Sequence, residues 1–290
     1  GTLIANFLAA AAGLHLPTQV VGGFVDATVN QLLDLDTDRE VALAVLPVGW
    51  TEHLAATPSP PIAPLALPTI SLSQGEVAYP AIRAIHAASS LLTEAEVVTW
   101  RGAPLQASEA TPPGQLFPLL PLDDSRLPLL SLDFVIRHRG SSRAFARQPI
   151  TFAQLSTILQ RSTRGIAADF LHPVGTTLTN LYLIVNAVEG IPAGAYVFHR
   201  NLNAVELLRQ GNFRREAGYL GLGQELPADA SVDIFCLANL PPILERFGNR
   251  GYRAAQLEAA IIGGKCYLAA YGQRLGATGL TFFDDEVTTF

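Results

Sequence analysis

Apolar residues recur at the three-to-four-residue spacing of an amphipathic helix in several parts of the chain. Segments with this spacing are residues 2–14, 26–35, 79–100, a segment that starts at 131, 151–163 and 254–276. The pattern predicts Asp26 and Thr151 as N-caps, because their side-chain oxygens can accept hydrogen bonds from the free N–H groups of a first helical turn. The last segment predicts one long helix.

Apolar runs of strand length lie between these helical segments. They predict strands at residues 17–24, 39–50, 180–190, 193–200 and 231–240, and a further short element at residues 204–211. The sequence "EGIPAG" (189–194) is typical of a hairpin connection between two of them. Because helices and strands are interspersed and a hairpin is present, the pattern predicts an α+β sandwich with a mostly antiparallel sheet flanked by helices.

The two ends of the chain resemble each other. Both "FLAAAAGLHLPTQVVGGFVDATV" near the start and "YLAAYGQRLGATGLTFFDDEV" near the end run from a helix through a strand to an acidic residue and a short helix. The distance along the chain between these two similar segments is too long for the repeat of a solenoid, and it indicates duplicated modules. We expect residues 1–50 to be the C-terminal part of a first module, 51–128 a proline-rich linker with a helix, and 129–290 a second module lacking its last strand. The first residues have the composition of a helix interior, so we expect the chain to be a piece of a longer one.

The composition and charge of the chain argue against several classes of function. The chain of 290 residues is 49% hydrophobic and carries a net charge of −6. The acidic balance argues against a nucleic-acid partner, and the apolar runs are too short to predict a membrane span. Cys236 and Cys266 are isolated, which predicts free thiols in a reducing cytoplasm and no metal site.

The sequence "RHRGSSRAF" (137–145) concentrates positive charge in a chain that is only 15% charged. Arginine donates paired hydrogen bonds in a fixed geometry, so this cluster of arginines and serines could bind a phosphate group. The alternative is a solvated helix end, where cations complement the helix dipole.

Four motifs in order resemble the FMN-dependent nitroreductase family, and specifically its SagB-type branch of azoline dehydrogenases. "RHRGSSRAF" matches an Arg-x-Ser-x-Arg-x-Phe signature, and "VEGIPAGAYVFH" matches the segment after the first strand. "ERFGNRGYRAAQLEAA" matches the run into the central helix, and "LSQGEVAYPAIRAIHAASSL" resembles a linker between tandem modules. The resemblance implies a nitroreductase-like fold in which two modules form a pseudo-dimer, with homo-oligomers also possible.

The resemblance also implies which residues bind the cofactor. Arg139, Ser141 and Arg143 would hold the phosphate and ribityl chain of one FMN, together with a loop of the first module that would precede Gly1. Gly22 and Gly23 would belong to a second flavin site, opposite the "HPVGTTLTN" loop that contains Gly175. NAD(P)H would be a possible reductant, and catalytic residues are not assigned.

Three functions remain open on these residues. The first is an FMN-dependent oxidoreductase that acts on a small molecule or peptide. The second is a flavin-fold scaffold or peptide-binding partner without catalysis. The third is an azoline dehydrogenase, although Arg246 and Phe247 stand where that branch carries a Lys-Tyr pair, and neither can replace the proton transfer of those side chains.

Overall fold

A computed structural model describes residues 1–50, 63–66, 68, 70, 73–102, 112–173 and 175–290. The strands are β1 (Gln115–Pro118), β2 (Ile150–Thr151), β3 (Asn180–Val185), β4 (Val188–Glu189), β5 (Gly194–His199), β6 (Ala204–Gln210) and β7 (Val232–Leu237). The helices are α1 (Thr2–Gly13), α2 (Asp26–Leu32), α3 (Pro80–Ala88), α4 (Glu94–Gly102), α5 (Leu132–His138), α6 (Phe152–Thr163), α7 (Arg214–Leu220), α8 (Glu225–Asp229), α9 (Leu240–Phe247), α10 (Arg250–Gly272) and α11 (Asp284–Thr289).

Five strands form an antiparallel sheet in the order β1-β6-β5-β3-β7. Alternate residues of β5 are buried, so Tyr196 and Phe198 enter the core that α6 and α10 cover. On the opposite face Phe235 packs with residues of α7 and α11. Helices therefore flank an antiparallel sheet, and the predicted α+β class is confirmed.

The long helix α10 passes through the centre of the molecule and packs against α1, α6 and α9. It crosses α1 closely at Gly264, where an added Cβ would lie 2.6 Å from the Cβ of Ala5. Glycine is the residue that allows two helix backbones to approach this far. The first 13 residues thus share a core with the second half of the chain.

The two predicted N-caps have different outcomes. Thr151 caps α6 in a reciprocal capping box with Gln154, and this prediction is confirmed. The prediction for Asp26 is wrong, because Val25 occupies the N-cap position of α2. The Asp26 carboxylate is buried and instead forms ion pairs with Arg250 and Arg253.

Two predicted strands are also wrong. Residues 17–24 and 39–50 pair through two isolated bridges, Thr18 to Val48 and Val21 to Val45, with single hydrogen bonds beside them. A continuous ladder cannot form, because Pro17 and Pro47 have no N–H to donate. The N–H groups of the Gly22–Gly23 pair donate to a side chain rather than to a strand.

The sequence pattern missed the edge strand β1, which pairs with β6. This strand lies in the proline-rich segment that was predicted to be a linker, so that segment contributes directly to the sheet. Proline at the last position of β1 suits an edge strand, where one side of the backbone has no neighbour. Within the described ranges, no helix is long and apolar enough to cross a bilayer.

Candidate functional site

The arginine segment (residues 137–145) starts at the end of α5 and runs along the C-terminal part of α10. The hydroxyl groups of Ser141 and Tyr267 are 3.1 Å apart, and the guanidinium group of Arg139 lies 5.6 Å from the centre of the Tyr267 ring. One helical turn further on, the Tyr271 hydroxyl donates to the Gly140 carbonyl at 2.8 Å. Two tyrosines of α10 therefore hold the backbone and one hydroxyl of this segment.

The segment that follows α10 completes the same site. The Gly279 N–H donates to the Tyr267 hydroxyl at 2.6 Å, and the Ser142 N–H donates to the Ala277 carbonyl at 2.9 Å. Sequence reasoning did not find Tyr267. The available signal was the four-residue spacing of Tyr267 and Tyr271, which puts both on one face of a helix.

The four arginines of this region differ in their partners. Arg137 is paired with Asp133 and Arg147 with Asp229. Within the part of the chain that the structure describes, neither Arg139 nor Arg143 has a carboxylate partner, and the buried Nε of Arg139 has no hydrogen-bond acceptor. Unpaired guanidinium donors beside a hydroxyl fit the chemistry of a phosphate group.

An open cavity of about 380 Å³ lies beside the arginine segment. Its lining is largely apolar and consists of Leu130, Phe134, Tyr271, Arg274, Leu275 and Gly276. This volume lies in the range of small-molecule sites, roughly 300–1,000 Å³. Because the hydroxyl of Tyr271 also holds Gly140, the cavity and the arginine segment are parts of one region.

Gly22 and Gly23 do not lie at the arginine segment. Their N–H groups donate to the two carboxylate oxygens of Asp169 at 2.7 and 2.9 Å, and the Gly22 carbonyl accepts from Arg250 Nε at 2.8 Å. Arg250 is the first residue of α10, seventeen residues before Tyr267. At 1.5 Å per residue, the glycine pair and the arginine segment contact positions about 25 Å apart along this helix.

Gly175 is in the loop that follows Asp169, after a cis peptide bond between His172 and Pro173. Its φ of +100° favours glycine, and a Cβ there would meet open space. Glu258 of α10 anchors the loop by accepting the Leu178 N–H at 2.8 Å. Asp169, six residues before Gly175, contacts Gly22 and Gly23, and these two glycines contact α10 far from the arginine segment.

An antiparallel sheet between helices, with an arginine- and serine-rich segment along the central helix, defines a nitroreductase-like α+β protein. The sequence profile of the nitroreductase family matches residues 136–289, which is more than half of the chain. The chain belongs to the nitroreductase family. The match begins one residue before the arginine segment and includes all of α10.

Two relatives have a similar sequence or structure. A protein named "Putative nitroreductase MJ1384", from Methanocaldococcus jannaschii, is 24% identical over 168 residues, which are 54% of this chain and 82% of that protein. A crystal structure titled as a putative nitroreductase from Anabaena variabilis ATCC 29413 has a TM-score of 0.78 and 26% identity. The structural match covers 99% of this chain and 59% of the Anabaena protein. The chain thus spans about three fifths of that structure, and the nitroreductase fold is confirmed.

Proposed function

We propose that this chain provides the FMN-binding site of an oxidoreductase of the nitroreductase family, with NAD(P)H as reductant. The bound FMN would supply hydride transfer at its ring. Arg139 and Arg143 donate to the phosphate, and Ser141 donates to the phosphate or the ribityl chain. The substrate is a small molecule or peptide that reaches the flavin ring.

The observation that carries this proposal is the difference among four neighbouring arginines. Arg137 and Arg147 are neutralised by aspartates, whereas Arg139 and Arg143 are not paired within the described residues. A helix end that only needed cations for its dipole would not require two guanidinium groups without a carboxylate partner in the same short segment as a serine. Ser141 differs from the two arginines, because its hydroxyl already contacts the Tyr267 hydroxyl and must leave this partner to bind the ligand.

We further propose the tandem arrangement of the SagB-type branch, in which residues 1–50 and 129–290 belong to two modules of a pseudo-dimer. The close packing of α1 on α10 supports it, since the repeat aligns these two helices with each other. The C-terminal repeat also ends in a short helix, α11, as the N-terminal repeat ends in α2.

Azoline dehydrogenation is less well supported by the contacts. Arg246 donates to the backbone carbonyl of Trp100 at 3.0 Å, and Phe247 is buried against the Trp100 ring at 5.5 Å between centroids. These side chains, at the positions of the Lys-Tyr pair, are therefore used to hold Trp100. Replacing them by Arg246→Lys and Phe247→Tyr should not produce azoline oxidation, which can be checked by mass spectrometry of a heterocyclised peptide.

A scaffold without flavin is the second candidate, favoured by the Ser141–Tyr267 contact, which occupies part of the proposed phosphate site. FMN titration followed by absorbance across the flavin bands distinguishes the two. For an FMN enzyme we expect Arg143→Ala to weaken binding about 10- to 100-fold, as expected for loss of a charged hydrogen bond. Arg137→Ala is the matched control, because its guanidinium is already paired with Asp133, and it should leave the affinity unchanged. Failure of the unaltered full-length protein to bind FMN would refute the enzyme proposal and favour the scaffold.

A further inference from the structure

The resemblance to the nitroreductase family implies two cofactor positions, one at the arginine segment and one at the Gly22–Gly23 pair. The second position has a different character from the first. Its backbone N–H groups are already bonded to the Asp169 carboxylate, so an anionic or carbonyl ligand would have to displace a buried side chain. The N–H groups of Gly22 and Gly23, which were predicted to contact a ligand, therefore donate to a side chain of the protein instead.

Trp100, from α4, fills the space above the glycine pair. A Cβ added to Gly23 would lie 2.7 Å from the Trp100 ring, and one added to Gly22 would lie 3.0 Å from Phe170. The indole also packs against Phe247 and is 5% exposed. The remaining cavity beside Gly22, Trp100 and Arg250 is about 10 Å³, which is room for at most about one water molecule. No flavin ring fits there.

Three polar contacts hold Trp100 in this place. The neighbouring Arg101 pairs with Asp169 at 3.0 Å and also donates to the Gly23 carbonyl. Arg246 of α9 donates to the Trp100 carbonyl at 3.0 Å. Over residues 94–101 only Val97 and Trp100 are buried, so most of α4 is outside the core and is attached through this end.

Two buried donors at this position, the N–H of the indole itself and one nitrogen of the Arg250 guanidinium beside it, are not satisfied by the part of the chain that the structure describes. Trp100 Nε1 and Arg250 Nη2 are buried without a hydrogen-bond acceptor among the described residues. Unpartnered buried donors cost free energy, about 1–3 kcal/mol each, and are rare in a region that serves packing alone.

We propose that α4 is an internal plug, in which Trp100 and Arg101 occupy the second cofactor position so that each chain binds one FMN, at the arginine segment. This inference rests on the proposed function. It explains why Arg246 and Phe247 contact Trp100, since both help to keep the plug in place.

The first test counts FMN molecules per chain by equilibrium dialysis. We expect one for the unaltered chain, one with about 10- to 100-fold weaker affinity for Arg143→Ala, and two for the double variant Trp100→Ala/Arg101→Ala. Val98→Ala, an exposed change on the same helix, is the matched control and should leave one. Circular dichroism and the urea unfolding midpoint establish that each variant is folded.

The other results separate the two proposals. Two FMN molecules in the unaltered chain, or only one in the double variant, would overturn the plug and leave the proposed function standing. None in the unaltered chain but one in the double variant would overturn the assignment of the arginine segment and support the plug. None in either protein would overturn both.

A second test leaves the residues of the plug unchanged. It therefore tests the proposal even when the double variant is unfolded. The chain has two tryptophans, and Trp50 is 80% exposed, so Trp50→Phe leaves Trp100 as the only indole emitter. We expect weak acrylamide quenching of Trp100, with the same quenching constant before and after addition of FMN. A quenching constant that is as high as for exposed Trp50, or that rises to this level with FMN, would overturn the plug.

Discussion

Arg250→Met tests whether a buried ion pair joins the N-terminal segment to the rest of the molecule. The Arg250 side chain is 2% exposed and its Nη1 lies 2.6 Å from the Asp26 carboxylate. It also donates to the backbone carbonyls of Gly22 and Ser89 at 2.8 and 2.9 Å. Methionine keeps the length and apolar stem of arginine but removes every donor.

The expected loss of stability follows from these contacts. Removing one partner of a buried pair costs about 3–5 kcal/mol, because the remaining charge stays buried. Asp26 would keep Arg253 at 3.2 Å and the Leu91 N–H at 2.9 Å, which offsets part of this cost. The two backbone carbonyls would lose their charged donor, which adds to it. We expect a decrease in the free energy of unfolding of about 4 kcal/mol.

Urea unfolding followed by circular dichroism measures this change, with Arg83→Met as the control. Arg83 is half exposed and lies 3.8 Å from Asp38, and exposed pairs contribute only about 0–1 kcal/mol. In Asp26→Asn the charge of the partner is absent, so Arg250→Met should cost clearly less there. If Arg250→Met costs no more than Arg83→Met, or if its cost is the same in both backgrounds, the ion pair does not hold these segments together.

Three further changes probe other contacts by urea unfolding. Gly264→Ala should destabilise by about 1–3 kcal/mol, because its Cβ would lie 2.6 Å from that of Ala5, and a variant as stable as the unaltered protein would contradict the close packing of α1 on α10. Thr151→Ala should cost about 1 kcal/mol through loss of the capping box, and no loss would show that water replaces the cap. Burial raises the pKa of the Asp233 carboxyl from 3.8 to about 8, so the folded state retains this proton and stability should fall as pH rises from about 4 to about 8, by up to about 1.4 kcal/mol per pH unit. The Asp233→Asn variant should lose this slope, and an unchanged slope would mean that another group causes it.

Some parts of the fold and the candidate site could be predicted from the sequence because their causes are local. The helical spacing of apolar residues predicted α1, α6 and α10, and Thr151 at the start of one segment predicted the cap of α6. Apolar runs of strand length and the hairpin connection at "EGIPAG" predicted the antiparallel neighbours β3 and β5. The clustering of arginine with serine marked the candidate phosphate site within nine consecutive residues.

The tertiary structure alone decided which partners these residues have. Asp26 was predicted to cap its own helix, but it pairs with Arg250, which is 224 residues away along the chain. Gly22 and Gly23 bind Asp169, and Trp100 comes from a predicted linker to cover them. No local pattern specifies such contacts, because they depend on which distant segments the shared core brings together. The sequence by itself determined most helices, the central strands and the charge of one candidate site, because these depend on local patterns. Packing around α10 decided that the Gly22–Gly23 position is filled by the protein's own side chains.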